Sequence, residues 1–469
     1  MADKKKTAAE ELSEKLLSKH ENGILRVDDK ELKACDEFNE GYKAFLDTAK
    51  TEREAVEEIT AQAEAAGFKV FERGKKYKAG DKFYFVNRKK AVILTVMGKK
   101  SIAEGIRLAA AHIDSPRLDM KQNPLYEDKE IAYFKTHYYG GIKKYQWPTV
   151  PLSLHGVIIK ADGESVKVRI GEDKGDPVFC ISDILPHLAE SQYKRPAPKL
   201  ITGEELNIIV GSRPFKDDKI SQKVKLNIMA ILNEKYGIVE DDFVSAELEA
   251  VPAFKASDVG FDRSMVGAYG QDDRVCAYTA LQAILQLKKP EYTCMTVLTD
   301  KEETGSDGNT GLNSSYLPYF INDLAAVYGV NGYNVMSKSE CLSADVNAAV
   351  DPTFIEPFEI RNCSQLNYGV VATKFTGARG KSGTSDASAE FVGRIRKLFD
   401  KNGIIWQTGE LGKVDAGGGG TVAQFIANLD FDVIDVGVSV LSMHAPFEIT
   451  SKLDTYMAYK SFKVFFEDK

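Results

Sequence analysis

The sequence predicts an α/β protein in which a three-layer domain is interrupted by a mainly β module. Three observations carry this expectation. Apolar residues recur at helical spacing over residues 5–20 and 28–66. Near residue 120 the texture changes to runs rich in Tyr, Val and Ile, broken by Asp-Gly, Gly-Asp and Lys-Gly turns. After Arg263, strand and helix patterns alternate. A chain of 469 residues, 43% of them hydrophobic, can fill more than one core. The expected division is therefore a discontinuous domain from residues 1–120 plus 263–469, with 121–262 inserted.

Each element follows from its residues. The first segments, rich in Ala, Glu and Leu, make two or three helices. KFYFVNRKKAVILTVMG reads as two strands around a basic turn. The apolar run from Ile106 to Ala111 leads directly into HIDSP. Pro116 biases its predecessor toward extended or turn geometry, which sets His112 and Asp114 at the C-terminal end of a strand. In the insertion, IAYFKTHYYGGIKKY, LSLHGVIIKADGESVKVRI and VKLNIMAILN supply strands with one or two helices. Beyond it come a helix over 272–287, the strand TCMTVLTD, a helix over 310–326, the strand YGVVATKFT, a helix over 384–399 and the strand FDVIDVGV.

Composition narrows the function. A formal net charge of -7 argues against nucleic-acid or anionic-membrane partners. The N-terminus MADKKKTAAEELSEKLLSKHENG continues its basic run with a charged amphipathic pattern rather than an apolar signal core, and no apolar stretch approaches bilayer length. The six cysteines form no CxxC pair, and several lie in apolar runs such as RVCAYTAL and YTCMTVL. They read as buried thiols of a reducing compartment, so the expected location is cytoplasmic.

The chemistry-bearing residues collect after strands. In extended His-Ile-Asp, residues 112 and 114 lie on one side of the chain, so the carboxylate can take one imidazole proton and turn the other nitrogen toward a metal. Asp272 and Asp273 precede an apolar helix, where acids also serve as caps. VLTDKEETGSDGNTG runs a hydrophobic strand straight into Asp300, Glu302 and Glu303. Like charges so close together need cations or protons to offset them in an enclosed site, although a solvated acidic turn has the same composition. Asp345 and His444 each end an apolar run. Histidine and carboxylate ligands without thiolates suit zinc, cobalt or manganese, and a bridging aspartate completes a co-catalytic pair.

With HIDSP at 112, QDDR at 271, DKEETGS at 300, SADVNAAVDP at 343, TGARGKSGTSDASAEF at 376, GGGGT at 417 and SMHAPFE at 442, the sequence resembles the M18 family of metalloaminopeptidases. That family includes aspartyl aminopeptidase and vacuolar aminopeptidase I, and other dinuclear-zinc exopeptidases are more distantly similar. The resemblance implies a three-layer zinc-exopeptidase catalytic domain of the phosphorylase/hydrolase-like type, with an inserted β-rich domain for dimerisation and substrate access. It implies two divalent metal ions per subunit, zinc first, with cobalt or manganese as alternatives. His112 and Asp345 would be terminal ligands on opposite metals, Asp272 would bridge, and Glu303 and His444 would complete the two spheres. Asp114 would orient His112, and Glu302 would act as general base. The implied activity is removal of N-terminal amino acids from peptides by water activated between the ions. The implied assembly is a homododecamer built from dimers. A related dinuclear-metal deacylase or carboxypeptidase is the alternative.

The chain departs from the family in two places. YYGGIKKYQWPTVPLSLHG replaces the usual tryptophan and Asp-Arg signature, and Ala348 and Asp351 stand near positions that normally carry histidines. The preference for an acidic or an apolar first residue stays open. An acidic one needs a cation in the S1 pocket, for which Lys374, Arg379 and Lys381 are the candidates.

Overall fold

The computed structural model describes residues 6–217 and 219–469. The strand Ile106–His112 is buried along its whole length, and its side chains alternate between two cores. Leu108 and Ala110 face the helices Tyr316–Ala326 and Gly332–Met336. Ala109 and Ala111 face Asp29–Thr48, Glu52–Ala65, Gln271–Leu285 and Lys452–Glu467. Small alanines here let the helices approach the sheet closely, and burial on both faces explains a continuous apolar run rather than an alternating one.

This strand lies in the middle of a nine-stranded sheet. Thr293–Thr299, Ile106–His112, Glu340–Ser343 and Asp432–Gly437 are neighbours and run parallel. Register sets Thr299 opposite His112 and Ser343 opposite Ala110. The chain therefore leaves the sheet at the same edge into His112–Asp114, into Asp300–Glu303 and into Asp345, the position where open parallel sheets gather function. The outer strands Ala91–Val96 and Val370–Thr373 pair antiparallel with this central set.

The second sheet begins directly after HIDSP. Its six strands are ordered Ser165–Ile170, Leu152–Ile159, Ala246–Pro252, Arg117–Asp128, Ile131–Tyr139 and Asn207–Gly211, with a core of their own. This sheet spans residues 117–252, a slightly earlier segment than the change in sequence texture marks. A buried ionic network seats it on the first domain. Arg117 lies 3.4 Å from Glu52 and 3.3 Å from Glu249. His155 lies between Glu54 at 2.8 Å and Glu172 at 3.1 Å, and Lys50 meets Glu172 at 3.2 Å. Charges buried at such a junction demand their partners, so the network fixes how the two sheets dock more than it adds net stability.

A third, five-stranded sheet that the sequence reading did not anticipate includes Met265–Ala268 and Glu448–Ser451 and lies beside the functional edge. Three expected helices are shorter than their apolar pattern. The one over 5–20 runs Ala8–Leu16, and residue 5 lies outside the described residues. The one from 310 begins at Tyr316, because the preceding loop folds on itself so tightly that a Cβ on Gly311 would sit 2.2 Å from the Ser306 carbonyl oxygen. The one from 384 begins at Ala389, where Ser388 caps it by accepting the Phe391 N–H. Among the described residues, no helix is long and apolar enough to cross a membrane, and all six cysteines are unpaired.

Candidate metal centre

Asp272 is the focus of the edge. Its backbone is not helical, so the carboxylate stands ahead of the regular turns of Gln271–Leu285 and does not cap them. One oxygen, Oδ1, lies 3.2 Å from His112 Nε2, and the other, Oδ2, lies 3.1 Å from His444 Nε2. Beyond these, His112 Nε2 is 3.9 Å from Asp345 Oδ1 and 3.8 Å from Glu302 Oε2, and His444 Nε2 is 3.5 Å from Glu303 Oε2. Two tight donor clusters result, His112 with Asp273 and Asp345, and His112 with Asp272 and Glu303.

All seven residues expected at the site come together here. The expected placing of His112 and Asp345 on opposite sides does not match the geometry. The two face each other on the Oδ1 side of Asp272, and Glu303 stands with His444 on the Oδ2 side. Motif spacing could not reveal this, because the side of Asp272 a ligand reaches depends on which strand end delivers it.

The second ring nitrogens are also held. His112 Nδ1 lies 3.0 Å from the Asp114 carbonyl oxygen and 3.3 Å from Asp114 Oδ1. His444 Nδ1 lies 2.8 Å from the Gly141 carbonyl oxygen. Each ring is thereby oriented with Nε2 toward Asp272. Glu448 accepts the main-chain N–H of Asp272 at 3.0 Å and of His444 at 2.7 Å, joining the two segments. Tyr139 donates to Asp114 at 2.7 Å. Tyr139, Gly141 and Glu448 were missed as site residues. The only sequence signal was their membership of YYGG and SMHAPFE.

The residues present fit a pair of divalent cations. Among the described residues, no Lys or Arg pairs with Asp272, Asp273, Glu302, Glu303 or Asp345. Among the described residues, nothing hydrogen-bonds to the buried Glu303 Oε1 or Asp273 Oδ1. Burial and neighbouring carboxylates hold Glu303 and Asp345 well above the ordinary carboxylate range and raise Glu302 to about 7. Burial alone would lower His112 and His444, but Asp114 and Asp272 raise the first well above its usual value, and Asp272 raises the second to about 10. Protons are thus retained where cations would neutralise the same carboxylates. Oxygen and imidazole donors without thiolate suit zinc, cobalt or manganese.

A cavity of about 400 Å³ opens over Asp272, Glu302, Asp345 and His444. Its walls include Val346, Phe375, Leu411 and Met443, and Arg379, Lys381 and Lys413 line it as well. Of the three cations named for an acidic pocket, Lys374 and Lys381 both pair with Asp386, at 2.7 and 2.8 Å.

Residues 45–466 match the family model described as Aminopeptidase I zinc metalloprotease (M18). A probable M18 family aminopeptidase 1 from Clostridium acetobutylicum is 50% identical over 458 residues, spanning 96% of this chain and 98% of that protein. The crystal structure of the M18 aminopeptidase from Thermotoga maritima superposes with a TM-score of 0.91 at 43% identity, covering 96% of this chain and 100% of that one. The mApe1 dodecamer of S. cerevisiae shares the fold, with a TM-score of 0.74 at 19% identity, covering 93% and 96%. The chain belongs to the M18 family of zinc-type metalloaminopeptidases, and it is a metal-dependent aminopeptidase.

Proposed function

We propose that the enzyme removes N-terminal residues from peptides at two zinc ions. His112, Asp345 and Oδ1 of Asp272 would hold one, and His444, Glu303 and Oδ2 of Asp272 the other. The observation that carries this reading is the two-sided carboxylate of Asp272, each oxygen facing a different histidine at 3.1–3.2 Å. Bound there, the ions supply Lewis acidity for the scissile carbonyl and acidify water. Glu302, beside His112 and open to the cavity, takes the proton of the attacking water and returns it to the departing amine. Asp114 keeps His112 in place and, through the Glu302 and Glu303 N–H groups at 3.2 Å, holds both glutamates.

The apolar wall of Val346, Phe375 and Met443 favours an apolar first residue; Lys374 and Lys381 share the single charge of Asp386, and Arg379 and Lys413 at the same cavity are the cations an acidic one would use. Turnover of Leu-, Met-, Lys-, Asp- and Glu-arylamides by metal-stripped enzyme reloaded with zinc, cobalt or manganese tests this. Leu and Met derivatives are expected to turn over fastest with zinc. Turnover of N-blocked amino acids instead would favour the deacylase or carboxypeptidase alternative.

In this reading residues 1–120 plus 263–469 are the catalytic domain, a three-layer zinc-exopeptidase fold, and 121–262 provide dimerisation and substrate access. Exposed Val178, Leu185, Leu188 and Tyr193 on the insertion support a face covered by a second copy, and a homododecamer of such dimers is the assembly we propose. Six unpaired thiols support a cytoplasmic location.

A further inference from the structure

We infer that Tyr139–Gly141, a short segment at the end of an inserted-sheet strand, positions both histidines of the centre, so that the catalytic sheet's affinity for its metals is set from the insertion. This rests on the metallopeptidase reading above.

The segment reaches the centre from two sides. On the His112 side, Tyr139 Oη donates to Asp114 Oδ2 at 2.7 Å, while Asp114 Oδ1 lies 3.3 Å from His112 Nδ1. The N–H groups of Glu302 and Glu303 occupy the same carboxylate, each at 3.2 Å. Asp114 therefore has a complete set of donors, and among the described residues Tyr139 is the one donor that arrives from the second sheet. Burial and the charge of Asp114 push the Tyr139 hydroxyl far above its usual range, which keeps it a donor at any working pH.

On the His444 side, the carbonyl oxygen of Gly141 lies 2.8 Å from Nδ1. An N–H there fixes the tautomer that leaves Nε2 free to face Asp272. Between the two contacts, Gly140 has a φ of +75°, and a Cβ on it would sit 3.1 Å from Glu303 Oε2. Glycine is needed for backbone to pass this close to a carboxylate.

The ring of Tyr139 is itself fixed. The Arg117 guanidinium lies 3.9 Å from its centre, and Arg117 is held by Glu52 of the catalytic domain and Glu249 of the insertion. A path of contacts thus runs from the junction network through Arg117, Tyr139 and Asp114 to His112. Tyr139 acts through Asp114 and touches no reacting atom, so it is a positioning residue.

Tyr139→Phe removes the hydroxyl and keeps the ring on Arg117. Competition of the metal-free protein against a chromophoric zinc chelator is expected to show an affinity loss of about 10- to 100-fold, with the metal-free protein still folded and unfolding cooperatively. In an Asp114→Ala background the same substitution is expected to add nothing. Gly140→Ala, which crowds Glu303 without touching Asp114, is expected to weaken binding of one zinc equivalent. Wild-type affinity in Tyr139→Phe, or the same loss with and without Asp114, overturns the inference. A wild-type protein that takes up no metal overturns both the inference and the reading on which it rests.

Discussion

Two adjacent glutamates at the end of one strand stand in different surroundings. Glu303 stands beside His444, with one oxygen lacking a hydrogen-bond partner among the described residues, whereas Glu302 stands beside His112 and opens to the cavity. Glu302→Gln keeps the shape of the site and would remove the proton acceptor of the proposed mechanism. Metal content by atomic absorption is expected to stay near wild type while kcat falls about 10²- to 10⁴-fold. Loss of metal in this variant would make Glu302 a ligand instead. His112, Asp272, Glu302, Glu303, Asp345 and His444 were legible from sequence because each acid or histidine ends an apolar run or opens a helix. Tyr139, Gly141 and Glu448 were not, because they act by hydrogen bonds that support the ligand segments and carry no metal-ligand signature.

Among the elements, the helix Gln271–Leu285 links the core to the site, since Asp272 stands at its non-helical N-terminal end and its regular turns pack into the first core. Leu281 is fully buried there, and Leu281→Ala is expected to cost about 2–5 kcal/mol of stability, read as a lower urea midpoint. The helix Glu52–Ala65 is tied to the insertion by Glu54, His155 and Glu172. Burial alone would lower the His155 imidazole, but Glu172 and Glu54 raise it above its usual value. The folded protein holds that proton more tightly than the unfolded chain does. This stabilisation is complete below about pH 6.5 and is lost as pH rises through the raised value. Burial opposes the Glu172 charge, but His155 and Lys50 hold it down to about 2. Its contribution is complete above about pH 4.3 and is lost as pH falls toward 2. Thermal scans across pH are expected to show the melting temperature falling above that plateau, and His155→Gln is expected to flatten the alkaline limb. An unchanged limb would remove His155 from the junction's energetics. The central strands were legible as apolar runs. The starts of the helices at Tyr316 and Ala389 were not, because loop packing rather than residue preference sets them.

At the scale of the molecule, the six-stranded sheet docks on the rest of the chain through buried charges and brings Tyr139 and Gly141 to Asp114 and His444. Its exposed apolar residues are expected to be covered by another copy. Light scattering is expected to report a dodecamer, and a monomer at working concentration would contradict that assembly without touching the chemistry. The change of texture near residue 120 made the insertion legible. Its contact with the active edge was not, since that contact is tertiary.

The most direct test is a titration of exhaustively chelated enzyme with zinc, followed by release of the N-terminal residue from a short peptide. Activity is expected to be absent at the start and to plateau at two equivalents per chain, one for each face of Asp272. Full turnover before any metal is added would contradict the account.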